Sequence, residues 1–131
     1  MVILFDQFNL PDNIFDIIFA TEQQVIVAKV LINFLKVNGG SVNKTEMSFL
    51  ANQLHEGNYE TTIDTPGYQG KKVKLSYNKR QFYDRILTPM KSMGLIQYDL
   101  YKKTYALSEQ FNKLMIRIGM LWINELKKAP Q

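Results

Sequence analysis

Residues 21–40 constrain the fold most, because their sequence predicts a helix that is apolar around most of its circumference. Thr21 and Gln24 have the spacing of a capping box, and Gly39 and Gly40 are typical of a helix C-terminus. Between these ends the polar residues fall on one narrow stripe at helical spacing: Glu22, Lys29, Asn33 and Lys36. The other positions are mainly valine, isoleucine, leucine and phenylalanine, so we expect this helix to be largely buried.

Length and composition indicate one domain and exclude several kinds of chemistry. The chain has 131 residues, enough for a single hydrophobic core, and 46% of them are apolar. It contains no cysteine, and this absence excludes a disulfide scaffold, a thiolate zinc site and a cysteine nucleophile. Its single histidine is His55. No helix face carries the paired carboxylates that acid–base catalysis needs. We therefore expect no enzymatic activity, no catalytic residues, no cofactor and no metal site.

The first twenty residues combine apolar side chains with aspartates. The aspartates interrupt the apolar run, and no lysine or arginine precedes Lys29, which argues against a signal peptide or a membrane span. We predict an extended arm over 2–10 and a short helix over 11–19 that begins at Pro11, both packed against other elements. Because the charges of this region are acidic, we expect no membrane association and a cytoplasmic location.

Two further helices follow, each with a capping signal. The second is predicted over 44–54, where Asn43 and Glu46 have capping-box spacing. The third is predicted over 78–93, with this apolar face: Phe82, Ile86, Met90 and Met93. Pro89 lies inside the third helix, and we expect it to kink the helix or to separate its last turn.

Two segments have the features of β-hairpins. Residues 56–77 form an insertion between the second and third helices, with turn residues at 66–67 and 70, and we predict a hairpin or a mobile loop there. After the third helix, residues 95–107 contain two short runs of isoleucine, tyrosine, leucine and threonine around Lys102 and Lys103. This pattern predicts a second hairpin with the two lysines at its tip.

The last helix, which we expect Ser108 to cap, has two apolar sectors where docking on its own domain needs one. The second sector is Ile116, Met120 and Ile123, and Trp122 belongs to the wider sector. Two sectors suggest a symmetric dimer whose interface includes Ile116, Met120, Trp122 and Ile123. The alternative is that the N-terminal arm covers the second sector within one chain.

Charge is strongly segregated along the chain. Residues 1–70 carry a net charge of −5, residues 71–103 carry +7 from nine basic and two acidic groups, and the remainder carries +2, which gives +4 in total. Tyrosines are interleaved with the basic stretch, at positions 77, 83, 98 and 101. This pattern is typical of a surface that binds a polyanion, and the alternative is a solvated basic face without a partner.

Three helices, the third ending in SMGLI, then a hairpin ending in YALSEQF and a long helix, resemble a winged helix-turn-helix protein. The matching segments are SFLANQL, RILTPMKSMGLI and IQYDLYKKTYALS. The chain is similar to small archaeal, bacterial or viral regulators of the MarR-like and PadR-like kind, which dimerise through terminal helices. The resemblance implies a mainly α fold with a small β-hairpin wing (α+β). It implies an N-terminal arm and short helix (1–20), a winged helix-turn-helix (21–107) with the insertion 56–77, and a dimerisation helix (108–131).

The resemblance implies that the third helix enters the major groove of DNA and that the wing (95–107) contacts the backbone. Arg80, Gln81 and Arg85 are then candidates for base readout. The other predicted DNA contacts lie at the helix start, on its exposed side, at the wing tip and in the insertion: Ser76, Asn78, Lys79, Thr88, Lys102, Lys103, Lys71, Lys72 and Lys74. The expected partners are double-stranded DNA and a second copy. The alternative is a protein-binding module in a replication, transcription or virus-encoded assembly.

Overall fold

The computed structural model describes residues 5–62 and 72–131. Within these ranges the chain has a mixed α+β fold, as predicted. Its elements in chain order are α1 (Ile14–Ile18), α2 (Glu22–Val37), β1 (Ser41–Asn43), α3 (Lys44–His55), β2 (Tyr59–Thr62), β3 (Lys72–Leu75), α4 (79–92), β4 (Ile96–Asp99), β5 (Thr104–Leu107) and α5 (Gln110–Lys127). No helix in these ranges combines the length and apolar composition that crossing a bilayer needs.

Helix α2 is the centre of the core, which confirms the strongest prediction from the sequence. The Thr21 hydroxyl accepts a hydrogen bond from the Gln24 N–H at 3.2 Å and so caps the first turn. At the other end Gly40 has a φ of 98° and donates its N–H to the Leu35 carbonyl at 2.7 Å. Six residues of the helix are buried: Val25, Val27, Ala28, Val30, Leu31 and Leu35.

Helix α3 begins with the capping box that the sequence predicts. The Asn43 side chain accepts from the Glu46 N–H at 2.7 Å, and the Glu46 carboxylate accepts from the Asn43 N–H at 3.0 Å. The predicted apolar face is buried: Met47, Leu50, Ala51 and Leu54. The helix therefore lies with one side against the core and its N-terminus at the surface.

A three-stranded antiparallel sheet in the order β1–β5–β4 joins the second hairpin to the helices. The hairpin of β4 and β5, called the wing below, is present as predicted. Strand β1 is not among the predicted elements, because three residues carry too little alternation to signal a strand. It pairs Val42 with Tyr105, and the Lys44 N–H donates to the Lys103 carbonyl at 2.9 Å, which ties α3 to the wing.

The insertion contains a hairpin, one of the two predicted alternatives. Strands β2 and β3 are antiparallel and pair Tyr59 with Leu75 at the base of the hairpin. Both of these side chains pack against the core. The predicted turn residues of this segment, at 66–67 and 70, lie outside the described residues.

Helix α4 is interrupted by a π-helix. It consists of the α-helical turn Lys79–Gln81, the π-helix Phe82–Leu87 and the α-helical turn Thr88–Ser92. The Thr88 N–H donates to the Tyr83 carbonyl, five residues earlier. The irregularity predicted from Pro89 therefore lies just before the proline. Pro89 has no N–H for the preceding turn and its ring crowds the carbonyl four residues earlier, which favours wider turns there.

The N-terminal predictions are partly wrong. The first helix begins at Ile14, not at Pro11, because the Asn13 side chain caps it by accepting from the Phe15 N–H at 2.7 Å. The described part of the arm is not extended, since the Asn9 N–H donates to the Asp6 carbonyl in a turn. It also does not pack on the described core: all of residues 5–10 are exposed. Residues 1–4 of the arm lie outside the described residues.

Helix α5 starts one residue later than predicted. Its N-cap is Glu109, whose side chain makes no capping hydrogen bond, while the Ser108 hydroxyl accepts from the Gln110 N–H at 3.1 Å. Gly94 brings α4 close to the start of this helix. Its φ is 83°, and a Cβ built on it would lie 2.9 Å from the Phe111 backbone nitrogen, so glycine is needed there.

Candidate nucleic-acid interface

Helix α4 exposes one polar face to solvent because its opposite, apolar face packs in the core. Phe82, Ile86 and Met90 recur every four residues and are buried, together with Leu87. The intervening polar residues are therefore exposed: Arg80, Gln81, Asp84, Arg85, Thr88 and Lys91. None of the described residues of the insertion buries this face, so the predicted base-reading side chains are accessible together.

The arginines of this face have different surroundings. Arg80 Nε lies 3.6 Å from Asp84 Oδ2, and both side chains are largely exposed. Such an exposed pair contributes little stability, and Arg80 stays accessible. Arg85 lies near the hydroxyl of Tyr77: burial raises the pKa of Tyr77 above its ordinary value, and the Arg85 guanidinium opposes that shift.

The start of α4 is held by partners within the protein. The Asn78 side chain accepts from the Gln81 N–H at 3.1 Å, and His55 Nδ1 accepts from the Lys79 N–H at 3.1 Å. These two N–H groups are thus used internally, which leaves the side chains of Lys79 and exposed Ser76 as the groups available to a phosphate. The role of His55 was not foreseeable, since 24 residues separate it from Lys79.

Tyrosines and a lysine join the wing to α4. The rings of Tyr98 and Tyr105, paired across β4 and β5, lie 4.6 Å apart, and Lys91 Nζ lies 5.4 Å and 5.8 Å from their centroids. Burial raises the pKa of Tyr105, with a further contribution from the hydroxyl of Tyr83 on α4. The interleaved tyrosines therefore position the wing beside α4, and Lys91 is a surface cation that the predicted site omitted.

The wing tip is a fixed turn with exposed lysines. Asp99 Oδ1 accepts from the N–H groups of Tyr101 and Lys102 at 2.9 Å and 3.1 Å, and these two hydrogen bonds lower the pKa of Asp99 below its ordinary value. Lys103 takes the left-handed conformation, with a φ of 52°. Lys102 and Lys103 are both exposed, and Leu100 and Tyr101 beside them are exposed as well.

Helix α3 sets the distance between two basic regions, the start of α4 and the wing tip. His55 at its C-terminus contacts the start of α4, and Lys44 at its N-terminus contacts the wing tip. Twelve helical residues span about 18 Å at 1.5 Å per residue. The start of α4 and the wing tip are thus separated by more than the width of one major groove, which is about 12 Å.

The insertion contributes a third, separate set of predicted contacts. Lys72 and Lys74 are exposed on β3, and Lys74 lies opposite Glu60 on β2. Lys71 lies outside the described residues. The predicted site residues therefore fall into three groups: the polar face of α4, the wing tip and the edge of the insertion hairpin.

Among the described elements, helix α5 has the most exposed large apolar side chains. Against the part of the chain that the structure describes, none of its 18 residues is buried. The predicted dimer residues are all exposed, and Ile116 and Trp122 keep 69% and 63% of their surface. Residues 5–10 of the arm do not cover them, so the alternative of an arm packed on this sector finds no support in the described arm residues.

A groove of about 810 Å³ separates α5 from the last turns of α4. It is lined on the α5 side by Leu114, Met115, Arg117, Ile118 and Leu121, and on the α4 side by Thr88, Pro89, Ser92 and Met93. Four apolar residues of the wide sector of α5 thus face this groove, and Trp122 of the same sector does not line it. The other sector faces away from the domain.

Within the described ranges, no group of three or more histidine and acidic side chains is placed to hold a metal ion. The arrangement instead offers exposed guanidinium, ammonium and amide donors, which suit an extended anion. No protein family, curated protein or solved structure that the chain was compared with matches it, so the function is inferred from this geometry.

Proposed function

We propose that this protein is a winged helix-turn-helix protein that binds double-stranded DNA, with α4 in the major groove and the wing on the backbone. The order α2–β1–α3–α4–β4–β5 supports this fold, because β1 pairs with the second wing strand and Lys91 of α4 packs on the wing tyrosines. The observation that carries the proposal is the uncovered polar face of α4 with Arg80, Gln81 and Arg85, together with a lysine-tipped hairpin whose tip lies about 18 Å from the start of that helix.

The side chains on this face match the chemistry of base edges. An arginine forms a bidentate pair with guanine O6 and N7, and a glutamine pairs with adenine N6 and N7. Lys91, Lys102 and Lys103 supply charge for phosphates on either side. Each neutralised phosphate lowers log affinity by about 0.9 per decade of salt concentration, so this set predicts strongly salt-dependent binding.

We also propose that the regulator acts as a homodimer through α5. Five positions alternate at spacings of four and three residues along its outward side: Asn112, Ile116, Gly119, Ile123 and Leu126. This is the spacing of a heptad seam, with Ile116, Ile123 and Leu126 as its apolar positions and Met120 and Trp122 beside it. The opposite side of the helix faces its own domain across the groove. A helix with one face toward its own domain and a heptad seam on the other fits an identical partner helix.

Burial of this surface is large enough to offset the cost of association. Fully burying a leucine, isoleucine or methionine side chain contributes about 1.5–3 kcal/mol. The apolar residues of this surface are roughly half exposed in one chain: Ile116, Met120, Trp122, Ile123 and Leu126. Ten side chains from two copies therefore contribute roughly 10–15 kcal/mol. This is comparable to or larger than the cost of association, about 4–15 kcal/mol. Dimerisation repeats α4, and half-sites one helical turn apart would lie about 34 Å from each other.

The test of DNA binding is a fluorescence-anisotropy titration of the full chain with random-sequence duplex DNA over a series of salt concentrations. We expect wild type to bind with a steep salt dependence, and Arg80→Ala/Arg85→Ala to lose at least about tenfold in affinity. The matched control is Lys29→Ala/Lys36→Ala, which removes the same charge from the exposed stripe of α2 and leaves affinity nearly unchanged.

Two results would contradict the proposal. The first is absent or salt-insensitive binding by wild type. The second is an equal loss in the α4 and α2 variants, because it would mean that only total charge matters. In either case the exposed face of α4, with Asp84 paired to Arg80, would belong to a protein-binding module instead.

A further inference from the structure

Two apolar side chains stand at the tip of the wing, uncovered by the described part of the chain. Leu100 is 77% exposed and Tyr101 is 98% exposed. We propose that they form a wedge that enters the minor groove beside the α4 site, unstacks a base step and bends the DNA. This inference rests on the proposed function and adds two contact residues that are neither basic nor part of α4.

The wedge is held in place before any partner binds. Asp99 Oδ1 accepts from the N–H groups of Tyr101 and Lys102, which fixes the turn on its own hairpin. The Lys103 carbonyl accepts from the Lys44 N–H at 2.9 Å, which fixes the turn to the N-terminus of α3. Because the loop is already ordered, binding does not pay the entropy of ordering it.

The position of the tip relative to α4 selects the groove. The Tyr98–Tyr105 pair lies beside α4 through Lys91, and strand β4 ends at Asp99, one residue further on. Leu100 and Tyr101 lie in the turn beyond it, so the tip projects past that pair by about 3.3 Å of strand and the depth of the turn. With α4 in the major groove, the next groove is the minor one, about 6 Å wide, which admits a side chain but not the hairpin.

The chemistry of the tip fits a base step. Apolar side chains inserted from the minor groove unstack bases and kink the duplex, and a tyrosine ring stacks on an exposed base. Lys102 and Lys103 directly follow the wedge in the same turn and are exposed, so their ammonium groups are available to phosphates. Further exposed cations lie on α4, whereas a flat bilayer would contact the tip alone, so DNA is the better match.

The experiment measures bending without knowledge of the target sequence. A random-sequence, A·T-rich fragment of about 150 base pairs, close to the persistence length of DNA, is circularised by ligase with and without the full-length protein. We expect wild type to increase the yield of circles about tenfold. Leu100→Ser/Tyr101→Ser should return the yield to that of free DNA while affinity for random duplex, measured by anisotropy, falls less than tenfold. Val37→Ser, another exposed apolar position, is the control and should bend DNA like wild type.

The other outcomes separate the wedge from the proposed function. If wild type binds the fragment but does not raise circle yield, or if the wing-tip variant bends DNA as wild type does, the wedge is wrong and DNA binding stands. If wild type binds no DNA but binds phosphatidylserine vesicles in a manner that needs Leu100 and Tyr101, both proposals are wrong and the tip contacts membranes.

Discussion

Single side chains decide the geometry of the candidate interface. Asp99 orders the wing tip by accepting two backbone N–H groups, and Asn78 and His55 do the same for the start of α4. In each case a polar side chain satisfies N–H groups that the turn or helix end leaves unpaired. The residues that face DNA in our proposal therefore stand on turns whose conformation is fixed by neighbours that do not touch DNA.

The wing turn is predicted to depend on pH through Asp99. Its pKa is lowered from an ordinary value of 3.8 by its hydrogen bonds to the N–H groups of Lys102 and Tyr101. The ionised carboxylate therefore stabilises the folded turn above pH 3.8, and this contribution is lost as pH falls through the lower folded-state pKa. An NMR titration of the Asp99 carboxyl carbon should give a midpoint below 3.8, and a midpoint at or above 3.8 would contradict this account.

A pair of substitutions separates the charge of Asp99 from its hydrogen bonds. Asp99→Asn keeps an acceptor oxygen, so hydrogen exchange of the Tyr101 and Lys102 amides should stay slow at neutral pH. Asp99→Ala removes the acceptor, and exchange of both amides should become several-fold faster, with the rest of the protein unchanged.

At the scale of elements, the sequence is most informative where structure is local. The caps of α2 and α3 involve residues three apart, and the structure has both. The sequence does not predict strand β1, because its three residues alone carry no pattern. Val42 in this strand pairs with Tyr105, some sixty residues away. For the π-helix in α4, Pro89 predicts that the helix is irregular but does not predict where. The irregular turns are those that carry the buried residues Phe82 and Ile86.

The N-terminal arm and α5 show a second limit of sequence reasoning. Both are apolar, and the sequence alone predicts burial for each. Residues 5–10 are exposed and no residue of α5 is buried, which shows that apolar composition identifies a surface that needs a partner, but not which partner. The spacing of the exposed residues on α5 is what points to a second helix.

The dimer proposal predicts a clear effect of charge on the seam of α5. Ile116→Asp buries an unpaired carboxylate twice in a symmetric dimer, so sedimentation should show at least about 100-fold weaker dimerisation. Asn124→Asp adds the same charge to the same helix away from the seam and should leave the dimer intact. Wild type that sediments as a monomer at tens of micromolar, or equal effects of the two substitutions, would contradict the seam.

The whole molecule combines an acidic half that forms the helical core with a basic stretch that forms α4 and the wing. The N-terminal seventy residues carry a net charge of −5 and residues 71–103 carry +7, so the two parts of the chain contribute electrostatic potentials of opposite sign. In the proposal this asymmetry orients the basic side toward a polyanion before contact, and the neutral seam of α5 stays free to pair with another copy.

The central claim is that α4 and the wing together form the surface that meets DNA. Its most direct test is an NMR titration of the labelled full-length protein with a random-sequence duplex, following backbone amides and arginine side chains. We predict that the largest shifts cluster on Arg80, Gln81, Arg85 and the wing tip around Lys102, and that they vanish at high salt. Shifts confined to α5 or to the insertion hairpin, with α4 unchanged at saturating DNA, would contradict the claim.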